Sequence, residues 1–135
     1  MKAYWLFLAL AVSACGSTDV FTPKSFYPPD PWVKGYSDPD DCIGGEALAA
    51  IRFDMPSYPK SAFRKGQQGW TIMRLDIAED GSTENIRVER SLPNGYFDKA
   101  SVKAVEDWQF RAPEAALENC RVLLRYRAGE VTLGG

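Results

Sequence analysis

The chain has 135 residues, enough for one small domain. With 45% hydrophobic and 25% charged residues it can bury a modest core. Sixteen basic against eighteen acidic residues give a net charge of −2, without the basic excess expected of a nucleic-acid binder. Histidine is absent, which removes Ser-His-Asp and Cys-His catalysis and every His-ligated metal site. No Gly-x-Ser-x-Gly elbow, phosphate loop or metal-ligand spacing occurs. Asp76, Glu79 and Asp80 are close in sequence, but a strand end and a turn account for them. No enzyme, no cofactor and no metal site is expected.

Residues 1–14 read as a secretory signal: Met1 and Lys2, an apolar run from Ala3 to Val12, then Ser13 and Ala14. Ala3 to Ala14 would span only about 18 Å as a helix, against a hydrocarbon core of about 30 Å. The tetrad Val12-Ser13-Ala14-Cys15 resembles a bacterial lipobox. That resemblance implies acylation of Cys15 and a lipid anchor on a membrane; a plain cleaved signal with a stray cysteine is the alternative. Gly16 after the cysteine resembles an outer-membrane sorting signal. Several acyl chains give stable anchoring where one would be marginal.

Residues 15–42 read as a tether. Between Gly16 and Cys42 lie five of the nine prolines and a net charge of −3, whereas Ile43 to Gly135 is neutral. Prolines and like charges keep such a segment extended, with a reach of at most roughly 80 Å. It also holds Phe21, Phe26, Tyr27, Trp32 and Tyr36. Aromatics are unusual in a spacer, so docking of part of the tether on the domain is one possibility. In an exported chain Cys42 and Cys120 read as a disulfide, worth roughly 4 kcal/mol in the chain-entropy view; two buried thiols are the alternative.

The domain is expected over residues 43–135. Glu46 to Phe53 suits a short helix or a strand equally. Pro59 opens a helix that continues from Lys60 to Lys65 and ends at Gly66 and Gly69. From Gly69 the period becomes two, with Thr71, Met73, Leu75 and Ile77 on one face of a half-buried strand. Glu79-Asp80-Gly81-Ser82 forms a hairpin turn, and Thr83 to Ser91 returns as a second strand. Thr83 is out of phase with Ile86 and Val88, which predicts a bulge near Glu84 or Asn85. Phe97, Ala100, Ser101, Ala104, Val105 and Trp108 form the buried stripe of an amphipathic helix that Pro113 ends. Cys120 to Arg127 then alternates as a third strand, with Val122, Leu124 and Tyr126 on one face and Arg121, Leu123, Arg125 and Arg127 on the other. Its arginines mark a sheet edge. The sum is an α+β domain, a three-stranded antiparallel sheet with two helices on one face. Trp108 is expected in the core; Trp70 points outward, as a contact or beneath the tether's aromatics.

The ordered set Tyr58-Pro59-x-x-Ala62, Gly69-x-Thr71-x-Met73-x-Leu75-x-Ile77, Asp80-Gly81-Ser82, Ile86-x-Val88-x-x-Ser91, Phe97-Asp98-x-Ala100 and Ala104-Val105-x-x-Trp108-x-Phe110-x-x-Pro113 resembles the TonB C-terminal domain. The likeness runs from about Pro56 to Arg127. It implies a non-enzymatic module that binds a receptor segment, the TonB box, by adding it to the edge of the third strand. Here that edge would be Arg121, Val122, Leu123, Leu124, Arg125, Tyr126 and Arg127, and its arginines would either favour an acidic partner or simply guard the edge. The family's transducers carry an N-terminal membrane anchor and a long Pro/Lys-rich spacer. A lipid and a short acidic tether in their place put classical energy transduction in doubt. Two function classes follow: a periplasm-facing module for an outer-membrane receptor or another periplasmic protein, or a structural lipoprotein of the envelope without a peptide ligand. A monomer and a strand-exchanged dimer both fit the small open sheet.

Overall fold

The computed structural model describes residues 19–31 and 50–134. The signal segment, Cys15 and Cys42 lie outside the described residues. Where it is described, the ambiguous stretch before Phe53 is a strand, β1 (Ala50–Arg52). Pro59, with φ −58°, leads into α1 (Lys60–Arg64), a single turn that buries Ala62. Then come β2 (Gly69–Ile77), β3 (Thr83–Leu92) and α2 (Asp98–Glu106). The chain closes with β4 (Gln109–Phe110), β5 (Leu117–Arg127) and β6 (Glu130–Leu133).

The main sheet has four strands, not the expected three, in the antiparallel order β3-β2-β5-β6. The missed strand follows Ala128-Gly129, at φ 54° and 80°, with Arg127 opposite Glu130. Two consecutive positive φ values are what a two-residue hairpin turn demands. Alanine carries no signal for that conformation, and β6 buries only Val131 partly, so its alternation is faint. The separate ribbon β1–β4 also corrects the reading of the second helix. That helix stops at Asp107, well before Pro113, because Phe110 pairs with Ala50 and the Trp108 indole donates to the Asp54 carbonyl at 2.8 Å. The bulge near Asn85 is present: Arg74 faces Arg87 while Asp76 faces Glu84, and Asn85 has φ 49°. A second shift separates Arg90 from Val88.

Both helices lie on one face of the sheet. Between them and the strands sit Met73, Leu75, Ile77, Phe97, Val105, Trp108, Val122, Leu124 and Tyr126, all buried. Phe97 stacks on Tyr126 with ring centroids 4.3 Å apart, and Phe53 lies 4.1 Å from Trp108. One polar cluster crosses this core. Ser101 Oγ donates to the Phe97 carbonyl one helical turn back, at 2.8 Å. A hydroxyl has a single proton. The Thr71 hydroxyl at 2.8 Å and the Tyr126 hydroxyl at 2.6 Å must therefore both donate to Ser101. The cluster ties β2, α2 and β5 together at one point. Burial raises the Tyr126 phenol well above its ordinary pKa, so it stays a donor at every physiological pH.

The opposite face of the sheet is covered at its Trp70 end. Residues 19–31 form a strap against the domain. The Lys24 amide donates to the Gly66 carbonyl at 2.9 Å, and Gln68 Nε2 to the Ser25 carbonyl at 2.9 Å. Gln68 Oε1 accepts from the Ala128 amide at 2.8 Å, so one side chain links the strap to the β5–β6 turn. Gly66 has φ 62°, and a Cβ there would fall 2.1 Å from the Thr22 carbonyl oxygen. The fit therefore requires glycine both for the turn that ends α1 and for the approach of the strap. Phe21 packs edge-on to Tyr58 and Phe63. Tyr27 completes a small apolar cluster with Trp70, Ile72 and Leu123. The Trp70 indole donates to the Pro29 carbonyl at 3.1 Å, and Asp30 meets Arg125 at 2.8 Å. Of the two outcomes open for Trp70, the structure shows the covered one: it is 1% exposed.

Two outcomes follow. Ser101→Ala strands the Thr71 and Tyr126 hydroxyls in the core and should cost about 1–3 kcal/mol in urea denaturation, whereas exposed Lys103→Ala on the same helix should stay within about 0.5 kcal/mol. Burial pushes the Asp30 carboxyl up, but hydrogen bonds from Tyr27 and Arg125 outweigh it and hold it below the usual carboxylate range. Its contribution to docking is thus complete above about pH 4 and is lost as the pH falls through the lowered value. The Trp70 indole N–H resonance should shift across that acid window in the unaltered chain, and in Asp30→Asn should sit at a displaced position already at pH 7.

Candidate binding edge and sheet face

The expected binding strand is β5, and its two sides differ. One side pairs with β2 through positions from Leu117 to Tyr126. On the other, Leu124, Arg125, Tyr126 and Arg127 pair with β6, and the Gly134 amide donates to the Leu123 carbonyl at 2.8 Å. Four of the seven residues proposed from the sequence thus already have a neighbouring strand. Arg121 and Val122 lie beyond β6, and among the described residues no strand pairs with that side of them. The side chains take the predicted faces. Val122, Leu124 and Tyr126 are in the core, and Arg121, Leu123, Arg125 and Arg127 are on the strap side.

None of the three arginines is idle on that face. Arg121 Nε lies 3.2 Å from Glu89, Arg125 pairs with Asp30, and the Arg127 guanidinium sits 5.2 Å from the Tyr27 ring centre. Donation to the Asp30 carboxylate outweighs burial and raises the Arg125 pKa, and burial, followed by the same acid, raises that of Tyr27. Sequence reading missed their neighbours Arg74, Arg87, Glu89 and Arg90. The signal was there in Arg87-Val88-Glu89-Arg90, but the bulges hid which of these share a face with β5. Cys120 is fully buried on the core side, opposite Leu75. Tyr58, at the end of the strap, donates to the Gln67 carbonyl; burial pushes its pKa up to about 12.

Among the described residues no group of acidic and cysteine side chains could hold a metal ion, and no helix is long and apolar enough to cross a membrane. What the site offers is backbone at a strand side and a charged sheet face, which suits polypeptide recognition.

Comparison with known proteins agrees with this geometry. The chain is 35% identical over 65 residues to protein TonB of Xanthomonas campestris pv. campestris, which covers 48% of this chain and 29% of that protein. It is 38% identical over 55 residues to protein tonB2 of Pseudomonas aeruginosa, covering 41% and 20%. The chain therefore spans under a third of the length of these curated relatives. Among solved structures it is similar to the C-terminal domain of Pseudomonas aeruginosa TonB in solution, with TM-score 0.59 and 23% identity over 65% of this chain and 93% of that one. It is also similar to the TonB2 protein of Vibrio anguillarum, with TM-score 0.51 and 18% identity over 76% and 100%. These likenesses show the α+β fold. The family is one of non-enzymatic domains. Residues 54–127, more than half of the chain, match the model of the Gram-negative bacterial TonB protein C-terminal, and the chain belongs to that family.

Proposed function

We propose that the domain is a TonB-like protein-binding module of the bacterial envelope, facing the periplasm, which takes an extended segment of an outer-membrane transport receptor by strand addition beside β5. The observation that carries this reading is the side of Arg121 and Val122 that no described strand occupies, midway along a strand whose other side is locked to β2. Unpaired strand edges recruit extended peptides through their N–H and C=O groups. An incoming strand that continues to Arg127 has to displace β6, which is four residues long and mostly exposed. Its role is in TonB-linked transport, without direct transduction of force if Cys15 carries the lipid that its tetrad suggests. The same proposal includes that anchor, an outer-membrane address, and a domain that begins near residue 43. It also includes a Cys42–Cys120 disulfide, the pair that remains in an exported chain once Cys15 is taken by the lipid.

The pairing of β6 with Leu124 to Arg127 favours a second reading, a structural envelope protein whose binding edge has been filled. Titration with TonB-box peptides of the same organism's receptors separates the two. Receptor binding predicts amide shifts in Arg121 to Arg127 and in β6. A silent spectrum at millimolar peptide leaves the structural role. Thr132→Pro sharpens the contrast, because proline cannot donate to the ladder. For a receptor module it should tighten peptide binding about tenfold while lowering the melting temperature; for a structural protein only the stability should change.

A further inference from the structure

The strap-side face of the sheet carries an arrangement that strand pairing does not need. Arg74 of β2 lies opposite Arg87 of β3 on one side and Arg121 of β5 on the other. Three arginines thus start from neighbouring positions on three strands, with adjacent strands about 4.8 Å apart. Like charges set directly across strands destabilise a sheet, so the row costs stability unless acids answer it. Glu89 answers two of them, at 2.8 Å from Arg74 and 3.2 Å from Arg121. Arg87 is exposed; its hydrogen-bond acceptors are neutral, the Asn85 carbonyl at 3.0 Å and the Asn119 side-chain oxygen at 2.9 Å, and it acts on the Asp76 carboxylate without an ion-pair contact. Arg90, also exposed, lies 5.7 Å from the Trp70 ring centre and has no acidic partner among the described residues. Asp76, next along β2 on this face, is already held by Asn85 Nδ2 at 2.7 Å and the Asn119 amide at 2.8 Å.

The strap shows what this face accepts. At its Trp70 end an extended stretch of the chain is held by a carboxylate on Arg125, a carbonyl on the Trp70 indole and a ring against Arg127. We propose that the row Arg87–Arg74–Arg121, with Arg90, is a second docking surface, which takes an acidic, extended segment of a protein partner across the sheet face rather than along the β5 edge. Alternate side chains of an extended peptide fall about 6.8 Å apart on one side, so carboxylates two residues apart reach successive arginines of the row. Arg74 is only 24% exposed and Glu89 stands between it and Arg121. Such a site suits carboxylates presented one at a time more than a flat anionic membrane.

The test uses the full chain, isotope-labelled, titrated with acetyl-Val-Asp-Val-Asp-Val-Asp-Val-amide, with its Asn counterpart, and with phosphatidylcholine vesicles containing phosphatidylglycerol. The expected result is that the Asp peptide alone shifts the amides of Arg74, Arg87, Arg90 and Arg121. Added salt should weaken it, and the double variant Arg87→Gln/Arg90→Gln should weaken it about tenfold with an unchanged melting temperature. Equal binding of the Asn peptide, shifts confined to β5 and β6, or binding of the vesicles with the peptide silent would each overturn the proposal, as would no binding at all. Strand addition beside β5 is read from β5 amides with receptor peptides and survives both substitutions, so the two readings fail separately.

Discussion

The fold depends on burying β2 from both sides. An antiparallel strand in a two-layer domain usually shows one face to water. Here Thr71, Met73, Leu75 and Ile77 meet the helices, while Trp70 and Ile72 are sealed by the strap. Fully burying one large apolar side chain contributes about 1.5–3 kcal/mol, so the strap is part of the core in energetic terms. Its grip comes from two sources: apolar contact by Phe21 and Tyr27, and polar contacts to the Trp70 indole, the Gln68 side chain and the Arg125 guanidinium. The hydroxyl cluster around Ser101 works the other face of the same strand, since Thr71 leaves β2 one residue after Trp70.

The edges of the sheet are handled differently. Along β3, the exposed charges of Glu84, Arg87, Glu89 and Arg90 and two register shifts discourage pairing. Along β5, a short hairpin strand covers one half, and among the described residues no strand lies beside Arg121 and Val122 on that side. The two sides therefore differ: the outer side of β3 is guarded by charge and irregular register, and that of β5 is guarded only in part. The arginines then belong to the face between the edges.

Most of the fold was legible where a pattern was long. The residues of β2 alternate cleanly from Met73 to Ile77, and the stripe from Phe97 to Trp108 has helical spacing. The mismatch of Thr83 with Ile86 and Val88 located a bulge to within a residue. Short elements escaped. The strands β4 and β6 are too brief for a period, and the Ala128 turn has no conformational signature. The candidate edge was half legible for the same reason: Arg121 and Val122 remain open to a partner, but Leu124 to Arg127 belong to a hairpin that the sequence barely announces. The row of arginines across three strands was invisible, because it depends on a register that the two bulges set.

The strap also separates two definitions of a domain that often coincide. By composition the chain divides near residue 42, where prolines and acids give way to a neutral mixture. By packing, Phe21, Tyr27 and Asp30 are on the inner side of that line, because Phe63, Trp70 and Arg125 are incomplete without them. The unit that folds therefore reaches back across the compositional boundary. A shortened chain that begins at the compositional boundary keeps every described strand and helix yet exposes a tryptophan, an isoleucine and a leucine on one flat face. Such a surface is prone to self-association, and a dimer formed by that fragment would report the missing strap rather than a property of the whole protein.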